Sequence, residues 1–229
     1  MQDLLLLHGA IGASDQLISL KEKLGKEFNI HLLNFSGHGG RAFGDNGFSI
    51  ETFANEVMAF LQERGLDQPH VFGYSMGGYV SMYLARYFPD RVGKVITLAT
   101  KYHWDEATAM REMQMLDAAI IEKKVPAFAT ALKQRHQPND WKEVLEKTKM
   151  MLGELGRGPV LAESDFAAIE HQVLLLLGDR DKMVTTDETY AVYRRLPQAA
   201  LGILPHTQHP IEQTNIDALA FLIRQFLLR

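Results

Sequence analysis

Two kinds of hydrophobic spacing alternate along this 229-residue chain. Short, unbroken apolar runs read as strands buried on both faces. Longer stretches with apolar residues every three or four positions read as amphipathic helices. Residues 4–7 are four leucines, ended by His8-Gly9. Ser14 is placed to cap a helix carrying Leu17, Ile18, Leu20 and Leu24, and residues 30–35 form the next apolar run. Ser49 is an N-cap for a helix bearing Val57, Phe60 and Leu61, with Phe48 and Phe53 set as a hydrophobic staple. A third run arrives at Gly73, a helix leaves after Ser75 and stops before Pro89, and residues 92–99 are a fourth strand. This repetition of strand and helix with short links predicts a parallel sheet covered by helices on both faces.

The pattern changes at residue 101. As far as about residue 164 it reads as helices over 105–124, 126–136 and 139–155 with no strand between them. The segment holds both tryptophans (Trp104, Trp141) and five of the ten methionines (Met110, Met113, Met115, Met150, Met151). Most of these residues pack helices onto a core. Concentrated in one helical insertion, they also suit an adaptable apolar wall over a pocket. The alternation then resumes with a strand at 173–177 ending in Gly178-Asp179-Arg180-Asp181, a helix at 187–196 and a strand at 201–204. Pro205-His206-Thr207-Gln208-His209-Pro210 leads into a closing helix at 215–228. The chain thus divides into a core of residues 1–100 and 165–229 and an insertion of residues 101–164.

Composition narrows the function classes. Hydrophobic residues make up 46% and charged ones 23%, the profile of a soluble globular protein. A net charge of −4 offers no field for gathering polyanions, so no nucleic-acid partner is expected. With no cysteine, a disulfide framework, a thiolate nucleophile and a cysteine-ligated metal are excluded. The first residues carry no basic leader or small-residue cleavage site, and no apolar run is long enough to cross a bilayer, so the expectation is a cytoplasmic protein without a membrane partner. Gly37-His38-Gly39-Gly40-Arg41-Ala42 matches G-x-G-x-x-A, but the next helix starts near Ser49, too late for its N-terminus to meet a pyrophosphate. There is no P-loop, and His206-x-x-His209 lacks an accompanying carboxylate pattern for a metal, so no cofactor is expected. Oligomeric state leaves no mark in the pattern.

The stretch Val71-Phe72-Gly73-Tyr74-Ser75-Met76-Gly77-Gly78-Tyr79 organises the rest. Strand, abrupt turn and helix give a G-x-S-x-G match its meaning. Such a turn strains the serine backbone and is tolerable only if its neighbours lack bulk, hence Gly73 and Gly77. The side chain then projects at a helix N-terminus, whose free N–H groups favour a developing negative charge.

Four motifs, each at the end of a strand, are similar to those of the α/β-hydrolases of serine esterase and lipase type: His8-Gly9, Gly37-His38-Gly39, Gly73-Tyr74-Ser75-Met76-Gly77, and Gly178-Asp179-Arg180-Asp181 followed by His209. The order Ser, Asp, His matches that family. The resemblance implies Ser75 as nucleophile and His209 as its base, with His206 the alternative. It implies Asp181 as the residue that orients the imidazole, with Asp179 the alternative, the latter also suited to satisfying its own turn. The N–H groups of Ala10 and Met76 would form the oxyanion hole. His8, His38 and His171 are read as serving loop geometry or sitting near the pocket as bystanders. The implied fold is an open parallel sheet of about six strands, ordered 2-1-3-4-5-6, with the insertion as a helical lid. Trp104, Met113 and Met150 would line the pocket. Two departures stand out: the usual pair of N-terminal antiparallel strands is missing, and Asn34-Phe35-Ser36 replaces the commoner Asp-x-Pro. The implied activity is hydrolysis of small carboxylic esters or related acyl compounds, through an acyl-enzyme, on a small-molecule substrate with an apolar acyl group. A C–C bond hydrolase, a lyase resembling the menaquinone-pathway synthase, and a non-catalytic ligand receptor are the alternatives on the same fold. The lyase relatives generally carry arginine where Tyr79 stands.

Overall fold

In the computed structural model, which describes residues 1–228, the leucines at positions 4–7 have no solvent exposure. They belong to β1 (Gln2–Leu7), an inner strand of a sheet that also contains β2 (Phe28–Leu33), β3 (His70–Tyr74), β4 (Val95–Leu98), β5 (Val173–Gly178) and β6 (Ala199–Leu204). The order is β2-β1-β3-β4-β5-β6, and every neighbouring pair is parallel. Because side chains alternate between faces, Leu5 and Leu7 enter one core and Leu4 and Leu6 the other. The first core holds Phe53, Val57 and Leu61 of α2 (Ile50–Arg64) and Val80 and Leu84 of α3 (Met76–Tyr87). The second holds Leu20 and Leu24 of α1 (Ile18–Leu24) and Leu219 and Ile223 of the terminal helix (Ile216–Leu227).

The chain builds β2 on one side of β1 and everything after it on the other. The sheet therefore has its topological switch between β1 and β3, and a crevice opens beyond their C-terminal ends. Gly9 and Ala10 leave β1 there, and Ser75 leaves β3.

Between β4 and β5 lie only helices: α4 (Glu106–Gln114), α5 (Ala118–Lys124), α6 (Pro126–His136), α7 (Trp141–Arg157) and α8 (Glu163–Ala167). The continuous helix expected over 105–124 is two. Asp105 caps α4 by accepting from the Thr108 N–H at 2.7 Å, and Asp117 restarts the helix by accepting from Ile120 N–H at 2.9 Å. Ser49 caps α2 as its sequence suggests, accepting from Thr52 N–H at 3.0 Å while the rings of Phe48 and Phe53 pack 5.3 Å apart. After β5 come α9 (Thr186–Tyr193), β6 and α10 (Ile216–Leu227). No helix among the described residues is long and apolar enough to cross a membrane.

Candidate active site

Ser75 sits between β3 and α3 with φ 50° and ψ −115°, a conformation that costs an L-residue roughly 1–3 kcal/mol. Its own backbone holds it there. The N–H donates to Leu98 C=O at 2.8 Å, and the C=O accepts from the Gly78 N–H at 3.0 Å and the Thr100 hydroxyl at 3.1 Å. The flanking glycines are required by contact. A Cβ on Gly73 would collide with the backbone of Gly77, and one on Gly77 would lie 2.5 Å from the Leu7 carbonyl oxygen. Helix α3 is thus pressed onto the end of β1, which puts its N-terminus beside the Gly9-Ala10 loop.

His209 follows β6, and its Nδ1 lies 2.8 Å from Oδ2 of Asp181. The other Asp181 oxygen accepts from the N–H groups of Met183 at 2.8 Å and Val184 at 2.9 Å. The Asp181 side chain is fully buried. Burial opposes its ionisation, but the hydrogen bond and charge of His209 and the two backbone donors outweigh it, and the carboxyl is held below its ordinary range. An ionised acceptor at Nδ1 fixes the imidazole tautomer with the proton on Nδ1, leaving Nε2 as the basic nitrogen. Tyr74, the residue before Ser75, donates its hydroxyl to the His209 carbonyl at 3.1 Å.

The alternative residues do other work. Asp179 accepts from the Thr207 N–H at 3.0 Å and so ties the β5 loop to the β6 loop. Its backbone hydrogen bonds near His206 and Thr207 hold its carboxyl below the ordinary value. His206 is exposed and paired with Arg180.

Ser75 and His209 line one cavity of about 310 Å³, together with Ala10 and Met76. Its wall is largely apolar, built by Ile11, Ile50, Leu116, Met151, Leu152 and Leu155. Trp104 lines it as the sequence suggests, whereas Met113 and Met150 do not. The reason is helical phase. Thr148, Met151, Leu152 and Leu155 form the inward face of α7, so Met150 falls on the outside and is 71% exposed. On α4 the inward position belongs to Glu112, while Met113 turns toward Gly153 of α7.

Two arrangements escaped the sequence. The first is a buried cluster of His8, His38 and His136, with ring centroids 5.1 Å and 5.7 Å apart. The Phe35 N–H donates to Nε2 of His8 at 3.2 Å, which leaves the proton on Nδ1, 2.8 Å from the Gly9 carbonyl. The second is Lys101, whose ammonium donates to the Met183 carbonyl at 2.5 Å, just beyond the N–H that Met183 gives Asp181. A lysine directly after an apolar strand was the available signal, but its partners lie in distant segments.

A family model described as the alpha/beta hydrolase fold matches residues 4–136, more than half of the chain, and the protein belongs to that family. It is 35% identical over 99 residues to a pimeloyl-[acyl-carrier protein] methyl ester esterase of Edwardsiella ictaluri, covering 43% of this chain and 36% of that one. The matched part is thus little over a third of that relative's length. To the enzyme of the same name from Neisseria meningitidis it is 26% identical over 245 residues, covering 97% of this chain and 75% of the relative. Its fold is also that of a thermophilic esterase from Thermogutta terrifontis, with a TM-score of 0.77 at 22% identity, covering 100% of this chain and 90% of the other.

Proposed function

We propose that the protein is a serine hydrolase that cleaves small carboxylic esters through an acyl-enzyme. The observation that carries this reading is the Asp181–His209 hydrogen bond at the rim of a cavity that Ser75 also lines. In the proposed reaction, Nε2 of His209 takes the Ser75 hydroxyl proton as the oxygen attacks the ester carbonyl. The N–H groups of Met76 and Ala10 receive the oxyanion, the former strengthened by its place at the start of α3. His209 then returns the proton to the departing alcohol, and water repeats the sequence on the acyl-enzyme. Asp181 stays ionised throughout and stabilises the imidazolium.

The apolar wall supports an apolar acyl group, since burying an unpaired charge against it is costly. Helices α4 to α7 act in this reading as a lid that excludes water from the acyl-enzyme. The esterase names of the relatives support ester cleavage over the alternatives on this fold. The test is hydrolysis of p-nitrophenyl butyrate together with labelling by a fluorophosphonate. Ser75→Ala is expected to abolish labelling and lower kcat by at least about a thousandfold while the chain stays folded. Retention of most of the activity would remove Ser75 as nucleophile.

A further inference from the structure

Two carboxylates interrupt the apolar wall, and one of them, Glu212, accepts from Gln16 Nε2 at 2.7 Å and pairs with Arg135 at 3.4 Å. Glu112, on the inward face of α4, lines the cavity and is 9% exposed. Among the described residues its carboxylate makes no hydrogen bond, and its ionic contact is the ammonium of Lys101 at 3.7 Å. Lys101 also lines the cavity and is itself engaged elsewhere. It donates to the Met183 carbonyl and lies 3.6 Å from Glu188.

The charges around Lys101 do not balance. Glu188 is saturated: its oxygens accept from the N–H groups of Tyr102, His103 and Thr185 and from the Thr185 hydroxyl. One lysine therefore faces a buried carboxylate, Glu112, and a partly buried one, Glu188, and the one without hydrogen bonds is the one at the cavity. Arg111 is exposed and turned to Thr108, so it does not supply the missing donor. Burial raises the Glu112 pKa, with Lys101 and His209 opposing the shift. The Glu112 carboxylate, without a hydrogen-bond donor from the described residues, lines the cavity, where a donor on a ligand can complete it.

We propose that Glu112, backed by Lys101, is a polar subsite of the cavity that takes a hydrogen-bond donor on the substrate, an ammonium or a hydroxyl. This rests on reading the cavity as the substrate site and deepens that reading. The substrate class becomes esters whose otherwise apolar frame carries one such donor. Anionic groups are rejected, because a second carboxylate would meet Glu112 while Lys101 is shared and Arg135, the other cation lining the cavity, is paired with Asp15 and Glu212.

The test measures binding without turnover, so it stands apart from the identity of the nucleophile. On the Ser75→Ala chain, calorimetry is run with n-pentylammonium, 1-pentanol and pentanoate, which share a tail and differ only in the head. Pentylammonium is expected to bind at least about tenfold more tightly than pentanoate, with pentanol between them. Adding Glu112→Gln, which keeps the shape and removes the charge, is expected to cost the ammonium about tenfold and to change pentanol by less than about threefold. The first comparison needs no change at Glu112 and decides the matter if the double variant fails to fold. Pentanoate binding as well as pentylammonium, no binding by any of the three at millimolar concentration, or an order unchanged by Glu112→Gln would overturn the proposal.

Discussion

Nε2 of His136, at the end of α6, lies 3.0 Å from the carbonyl oxygen of Ile11, a residue held at φ 51° in the loop after β1. On its other side the His136 ring accepts the Gly39 N–H at Nδ1, over 3.2 Å. That second bond fixes the tautomer, since Nδ1 must be bare and Nε2 must carry the proton. One side chain from the helices between β4 and β5 thus joins two loops at the ends of β1 and β2. In the proposed mechanism the first of these loops presents the Ala10 N–H to the oxyanion.

His136→Leu is accordingly expected to lower kcat about tenfold, the scale of one lost hydrogen bond that positions a donor, with little change in KM. His136→Asn, which restores one of the two bonds, should recover part of the loss. The comparison is steady-state kinetics on p-nitrophenyl butyrate. Equal activity of the leucine variant and the parent would mean that the loop holds its shape unaided.

The two aspartates after β5 separate by what they touch. Asp181 bonds the imidazole, while Asp179 bonds the Thr207 N–H of a neighbouring loop. Asp181→Asn should cost at least about a hundredfold in kcat, because an amide there no longer fixes the tautomer. Asp179→Asn should instead lower the melting temperature with a smaller effect on kcat. His209→Ala and His206→Ala should rank in the same way, the former abolishing turnover. The opposite ranking in either pair would reassign the site.

Acid sensitivity follows from the histidine cluster. His8 is fully buried, and burial, the largest influence, pushes its pKa from 6.5 down to about 4. His38 and His136 are lowered for the same reason. In this window the unfolded chain binds the proton first, so stability is complete above pH 6.5 and falls as the pH drops toward 4. For His8 alone the full shift corresponds to about 3 kcal/mol. Urea unfolding at pH 7, 5.5 and 4.5 should show this decline, and His8→Asn should flatten it. A midpoint indifferent to pH across that range would contradict the buried neutral state.

How far the residues announced this structure depended on the distance over which each signal acts. Residues 4–7 and 173–177 read as inner strands because burial on both faces leaves an unbroken apolar run, a local signature. Ser49 and the Phe48–Phe53 staple act within one helical turn and were equally plain. The break before Asp117 was missed because the apolar pattern continues across it, although Asp117 itself is a strong cap. The histidine cluster was illegible: His136 meets Ile11 and Gly39 across 125 and 97 residues, and neither partner contributes a side chain. Lys101 was hidden in the same way, as its Met183 partner lies 82 residues away, and Glu112 because its significance lies in the hydrogen bonds it lacks once folded.

The choice of methionine on α7 gives the sharpest check on the cavity wall. Met150 and Met151 are adjacent in sequence, yet Met150 is 71% exposed and Met151 only 2%. Successive residues on a helix differ by about 100°, which is enough to separate solvent from cavity. If the acyl group occupies the cavity, its length preference should respond to volume at 151 and ignore 150. Met151→Ala opens space, so kcat/KM for p-nitrophenyl octanoate relative to butyrate should rise, by about tenfold at most if a few methylenes find room. Met151→Phe fills space and should shift the ratio the other way. The alanine variant also loses roughly 2–5 kcal/mol of packing, but loss of stability lowers both substrates together and leaves their ratio alone. Opposite shifts from one position therefore cannot come from unfolding. Met150→Ala is the control, expected to leave the ratio unchanged. A ratio that moves with Met150 and not with Met151 would place the acyl group outside this cavity.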